Sequence, residues 1–149
     1  MKSPVGRLKN AWHDKLNGQL SYNSVNVPVY REDAGKLPSS HYVLIRAGGS
    51  RNESPADAFM RRVSLFIQIV TKFPGTANIQ DNIVEEIEEQ ILEIIRPSTL
   101  DDALTDGADF QVTLVSNEDD SYENFEDTDH TIKYFIKTTR WEHLAVQKN

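Results

Sequence analysis

The sequence predicts an α+β fold: an N-terminal helix, a mainly antiparallel sheet of about five strands, and a long helix packed on one face of that sheet. Three observations carry this. Residues 59–73 alternate with period two, with Val63, Leu65, Ile67 and Ile69 on one side and Arg62, Ser64, Phe66, Gln68 and Val70 on the other. Residues 78–96 change to a helical period, with Ile83, Val84, Ile87, Ile91, Ile94 and Ile95 on one stripe and Glu85, Glu86, Glu88, Glu89 and Glu93 opposite. Shorter alternating runs at 110–114 and 131–139 follow, so strands and helices do not alternate regularly as they would in a parallel α/β fold.

A chain of 149 residues suits one domain, expected to bury roughly 70% of the surface it exposes when unfolded. No internal repeat or low-complexity linker divides it. The absence of cysteine removes disulfides, thiolate metal sites and cysteine nucleophiles, and fits cytosolic synthesis. Met1 to Arg7 leads into a mixed polar and apolar segment, so neither a signal peptide nor a membrane span is expected. The glycosylation sequon Asn52-Glu53-Ser54 has no meaning without secretion.

Taken in order, Val5, Leu8, Ala11, Trp12 and Leu16 stand at three- and four-residue spacings, with Ser3 as N-cap and Pro4 at the first helical position. Gly18 lies near the end of this helix. Val25, Val27 and Val29 alternate as a first strand, which Pro28 assigns to a sheet edge because it has no amide hydrogen for a ladder. This strand and His41 to Arg46 read as a hairpin-like pair, joined by a loop containing Gly35 and Pro38. Residues 47–60, with Gly48-Gly49 as a turn signal, read as an exposed loop, and the strand at 59–73 should be the longest. Asn78 is the expected N-cap of the long helix, and Pro97 its stop. Phe110, Val112 and Leu114 form a fourth strand, which an acidic loop near 117–130 separates from a fifth, where Ile132, Tyr134 and Ile136 oppose Lys133, Phe135 and Lys137.

Charge is unevenly divided. Residues 1–75 hold eleven Lys/Arg and five Asp/Glu, whereas residues 76–149 hold five and eighteen, within an overall net charge of −7. Such a split serves either as ordinary surface solvation or as complementary faces on neighbouring copies. The basic residues are scattered and lack the dense aromatic-interleaved cluster that phosphate-backbone binding favours. Arg46, Arg51, Glu53, Arg61 and Arg62 around the first loop are candidate partner or oligomer contacts. So are Glu118, Asp119, Asp120, Tyr122 and Phe125 in the acidic segment, where aromatics among acids suit a docked loop.

No catalytic, cofactor or metal constellation emerges. His13, His41, His130 and His143 have no metal-ligand spacing, and no HExxH occurs. Ser39-Ser40-His41 lacks a nucleophile elbow. The seven carboxylates between Glu118 and Asp129 are hard oxygen ligands, but they match neither the spacing nor the central glycine of an EF-hand. Gly48-Gly49 lacks the lysine and hydroxyl of a phosphate-binding loop. No enzyme activity and no cofactor are expected.

The order of Val27-Pro28-Val29-Tyr30, then Leu37-Pro38 through Tyr42-Val43-Leu44-Ile45, then the strand 61–71 and the helix to Arg96 resembles the phage tail-completion family, also called tail terminators or head–tail joining proteins. The resemblance covers about two thirds of the chain. The family's second strand often ends in an acidic residue near a glycine, whereas this one ends Ile45-Arg46-Ala47-Gly48-Gly49. The resemblance implies a structural virion protein forming a homo-oligomeric ring, commonly six-membered, that caps the tail tube and meets neck or portal-adaptor proteins. DNA would pass through such a ring without specific binding, and no membrane is involved. Another ring or neck component of a short tail barrel is the alternative, and a small cytosolic enzyme or ligand-binding domain is a more distant one.

Overall fold

The computed structural model describes residues 4–32, 40–52, 54, 60–95 and 110–147, with the side chains of 110, 111, 113–115 and 118–120 outside the described set. The elements run α1 (Pro4–Leu16), β1 (Ser21–Tyr22), β2 (Val25–Asn26), β3 (Val29–Arg31), β4 (Tyr42–Asn52), β5 (Met60–Pro74), α2 (Asn82–Ile94), β6 (Phe110–Glu126) and β7 (Ile132–Gln147). The expected α+β class is what the chain adopts. One five-stranded sheet has the order β3-β4-β5-β7-β6, and β1 and β2 form a separate two-stranded ribbon.

Pairing is antiparallel everywhere in the large sheet except between β3 and β4. The hairpin-like pair expected there is therefore corrected to a parallel one, with Val29 opposite Val43 and Arg31 opposite Ile45. Pro28 does precede an edge strand. It also ends the alternation begun at Val25, because Val25 belongs to the small ribbon and is 59% exposed while Val27 and Val29 enter the core. Asn23 and Ser24 both take positive φ, +50° and +63°, a pairing of dihedrals that suits a two-residue hairpin loop.

Both helices cover the same sheet face. Leu8, Trp12 and Leu16 of α1 are buried, as are Ile83, Val84, Ile87 and Ile91 of α2. They join one core with Val43 and Ile45 of β4, Val63, Leu65, Ile67, Ile69 and Phe73 of β5, and Trp141 and Ala145 of β7. Each buried aliphatic side chain contributes roughly 1.5–3 kcal/mol, which outweighs the weak intrinsic stability of a helix this short. Asp81 is the N-cap of α2, without a side-chain capping bond, so the expected cap at Asn78 lies too early. Pro97 lies outside the described residues.

Two expected loops are partly strand. Gly48 to Asn52 continue β4 against β5, and Asn117 to Glu126 continue β6 against β7. At 17 residues β6 is consequently longer than the 15-residue β5 that was expected to be the longest. The period read for β7 holds, and its lysine-bearing side is the one beneath α2: Lys137 is only 3% exposed.

The candidate groove on the uncovered sheet face

The face of the sheet away from the helices carries a groove of about 460 Å³, lined by Gly48, Gly49, Ser50, Arg51, Arg62, Ser64, Arg140 and Glu142. A bulge in β4 builds it. The register with β5 shifts between Ala47 and Gly49, so that Arg51 stands opposite Arg62. Without that extra residue the period of two would turn Arg51 to the helix side. Gly49 has φ +114°, and a Cβ on Gly48 would meet the Phe66 ring at 2.9 Å and the Ser64 carbonyl at 3.1 Å. Glycines at these positions thus make a bulge rather than the turn expected from the sequence.

Glu142 forms the floor. Its Oε1 accepts a hydrogen bond from Ser64 Oγ at 2.7 Å and lies 2.5 Å from Arg140 Nη2. Burial alone would raise its pKa, but the Ser64 bond and the charges of Arg140 and Arg62 hold the carboxyl below its ordinary value. The other oxygen, Oε2, is buried with no hydrogen-bond partner among the described residues. The arrangement sets a buried carboxylate among arginine side chains.

Among the expected contact residues, the structure brings Arg51 and Arg62 together in this groove. Arg46 lies nearby on the same face, opposite Phe66, and is exposed. Arg61 is separated from its neighbour by the strand alternation and donates from Nη2 to Ser50 Oγ at 2.9 Å. Glu53 lies outside the described residues. Glu118 occupies a strand position opposite Arg140, and a register shift follows before Ser121, the span that holds Asp119 and Asp120. Tyr122 is 50% exposed, yet its ring stacks on Phe135 and its hydroxyl donates to Glu85 Oε1 at 3.1 Å. Phe125, 48% exposed, stacks on Tyr134 with centroids 4.8 Å apart. These two aromatics divide between the sheet's faces, because they differ by an odd number of residues along β6. Sequence reasoning missed Arg140 and Glu142; their spacing of two within the alternating Arg140-Trp141-Glu142-His143 is the signal that pointed to a shared polar face.

The four histidines are dispersed. His13 faces Asp14 on α1, His41 accepts the Lys72 amide hydrogen through Nδ1, and His130 sits in the β6–β7 turn 2.7 Å from Glu126. His143 is fully buried. Among the described residues, no group of three His, Asp or Glu side chains converges as a metal site. No helix among them is long and apolar enough to cross a membrane.

One solved chain, from the virion of a native gene transfer agent particle, shares this fold with a TM-score of 0.56 over 99% of the present chain and 100% of its own, at 12% sequence identity. No protein-family model matches the sequence. No curated protein matches it either.

Proposed function

We propose that this chain is a structural subunit of a phage-type virion, where it forms a ring that completes the tail and joins it to the neck. The observation that carries the proposal is the end-to-end fold likeness to a chain of a gene transfer agent virion, with neither chain leaving a large part unmatched. A fold alone does not define a function. The resemblance of the strand–loop–strand–helix order to tail-completion proteins narrows the role from virion component to tail ring. The uneven division of charge between the two halves of the chain suits the heterologous contacts from which rings are built.

In this reading the protein acts by assembly, without turnover chemistry. Its partners are further copies of itself, the tail tube and the neck proteins, and DNA passes through the ring without base recognition. Particles produced without this chain are expected to accumulate heads and tails that are not joined, and supplying the chain in trans should restore joined, infectious particles. Normal yields of infectious particles in its absence would overturn the proposal.

A further inference from the structure

We infer that the outer edge of β6, from Ser121 to Glu126, takes an extended segment of a different virion protein as an added strand, and that this segment carries lysine or arginine. The contact rests on the virion reading and names a surface by which the chain holds a neighbour.

β6 ends the five-stranded sheet, and among the described residues only β7 pairs with it. The register from Ser121 opposite Thr138 to Glu126 opposite Lys133 is unbroken, and the Asp127 amide continues it by donating to the Ile132 carbonyl at 3.0 Å. Backbone groups alternate in direction along an antiparallel strand. Ser121, Glu123, Phe125 and Asp127 therefore turn their N–H and C=O groups toward β7, whereas Tyr122, Asn124 and Glu126 turn theirs outward. Every residue from Ser121 to Glu126 is exposed, so the outward groups lie open to a partner.

Sheet edges are commonly blunted by a bulge, a proline or a very short strand. This stretch has none of these. Tyr122 and Phe125, two of the exposed large apolar side chains among the described residues, flank it on opposite faces. An added strand would cover both rings while its backbone bonds to the outward positions, the mode by which extended peptides join a sheet.

Charge selects the partner. β6 bears Glu118, Asp119, Asp120, Glu123 and Glu126, and the sequence has no Lys or Arg between Arg96 and Lys133. A basic strand is favoured beside it and an acidic one disfavoured. Among the described residues a second copy offers no matching edge. Its β6 would set acid against acid. Its β3 is three residues long, with Val29 only 4% exposed. Its β4 beyond β3 is broken by the bulge between Ala47 and Gly49, and the Ala47 amide already donates to Glu32 Oε1 at 3.0 Å. The strand accordingly comes from another protein.

Hydrogen exchange on the purified chain and on purified particles tests this. In the chain alone, in whatever oligomer it forms, the outward amides of 121–126 should exchange fast; in particles they should slow roughly tenfold or more. Protection already present in the chain alone would assign the edge to a second copy and overturn the inference. Fast exchange in particles that contain the chain overturns it and leaves the virion reading standing, whereas particles that lack the chain overturn both. Asn124→Pro removes an outward N–H and spares the β7 ladder, so the folded variant should lower the yield of joined particles roughly tenfold or more, while Asn124→Thr keeps the N–H and the yield. Glu123→Lys should bring a similar loss, and it reads the same contact if circular dichroism shows that Asn124→Pro does not fold. Normal yields from folded Asn124→Pro overturn the added strand; normal yields from Glu123→Lys overturn its basic chemistry.

Discussion

The indole N–H of Trp12 donates to Nε2 of His143 across 2.9 Å, joining the first helix to the last strand inside the core. The other ring nitrogen, Nδ1, lies 3.1 Å from the Val63 carbonyl oxygen, so the proton belongs on Nδ1 and the imidazole is neutral. Trp12 also packs edge-on against Trp141 with ring centroids 4.8 Å apart. One polar pair thus fixes the relation of α1, β5 and β7 while leaving neither of its ring nitrogens unsatisfied.

Stability should consequently fall as the solution is acidified. Burial lowers the His143 pKa to about 4, with the Val63 carbonyl bond and the Glu142 charge acting in the opposite direction. The unfolded chain takes up this proton near 6.5 and the folded chain only near 4, so the contribution is complete above the first value and is lost progressively toward the second. The loss amounts to roughly 3 kcal/mol. Urea unfolding of the wild type and of His143→Gln across this interval isolates it: the variant should be less stable at neutral pH and show a shallower pH dependence. Equal slopes would remove His143 as the source.

Lys137 provides a second, asymmetric expectation. It is buried beneath α2, with Nζ 2.7 Å from Glu88 Oε1, 3.8 Å from Glu85 Oε1 and 5.2 Å from the centre of the Tyr122 ring. Removing Glu88 as alanine takes away the nearest carboxylate of a buried ammonium, 2.7 Å from Nζ, and should cost about 2–4 kcal/mol, whereas Lys137→Met removes the charge and keeps the packing, and should cost about 1 kcal/mol or less. Thermal and urea unfolding of the two variants would check the order. A larger loss in Lys137→Met would show that the ion pair itself, rather than the avoidance of an unpaired charge, stabilises the helix on the sheet.

This pair also shows where the sequence is legible. A fifteen-residue alternation and an isoleucine stripe define β5 and α2, since burial of one face imposes those periods directly. The engagement of Glu85 and Glu88 by Lys137 is not legible in the sequence, because a partner on β7 leaves no local trace. The acidic segment read as a loop for a related reason: asparagine and acidic residues disfavour strands, yet pairing of Ser121 to Glu126 with Lys133 to Thr138 overrides that preference. The parallel β3–β4 pairing is likewise invisible to periodicity. Two of the groove's four charged residues, Arg51 and Arg62, are legible as contact candidates; the bulge that turns Arg51 toward Arg62 is not, because a glycine pair serves turns and bulges alike.

Gly75 supports a prediction that depends on space alone. A Cβ at this position would lie 2.1 Å from the His130 carbonyl oxygen, and its own N–H donates to the Thr131 carbonyl at 2.9 Å. Gly75→Ala must therefore displace the backbone of the β6–β7 turn. A loss of about 1–3 kcal/mol is expected, with amide exchange accelerated around 127–132. An unperturbed melting midpoint would show that the turn yields without cost.

The central claim is that the protein works as a ring. Electron microscopy of the purified wild-type chain, with class averages scored for rotational symmetry, tests it most directly. A closed ring of uniform copy number, with a central opening wide enough for a DNA duplex, is the predicted result. A uniform population of monomers at concentrations well above those of assembling particles would contradict it.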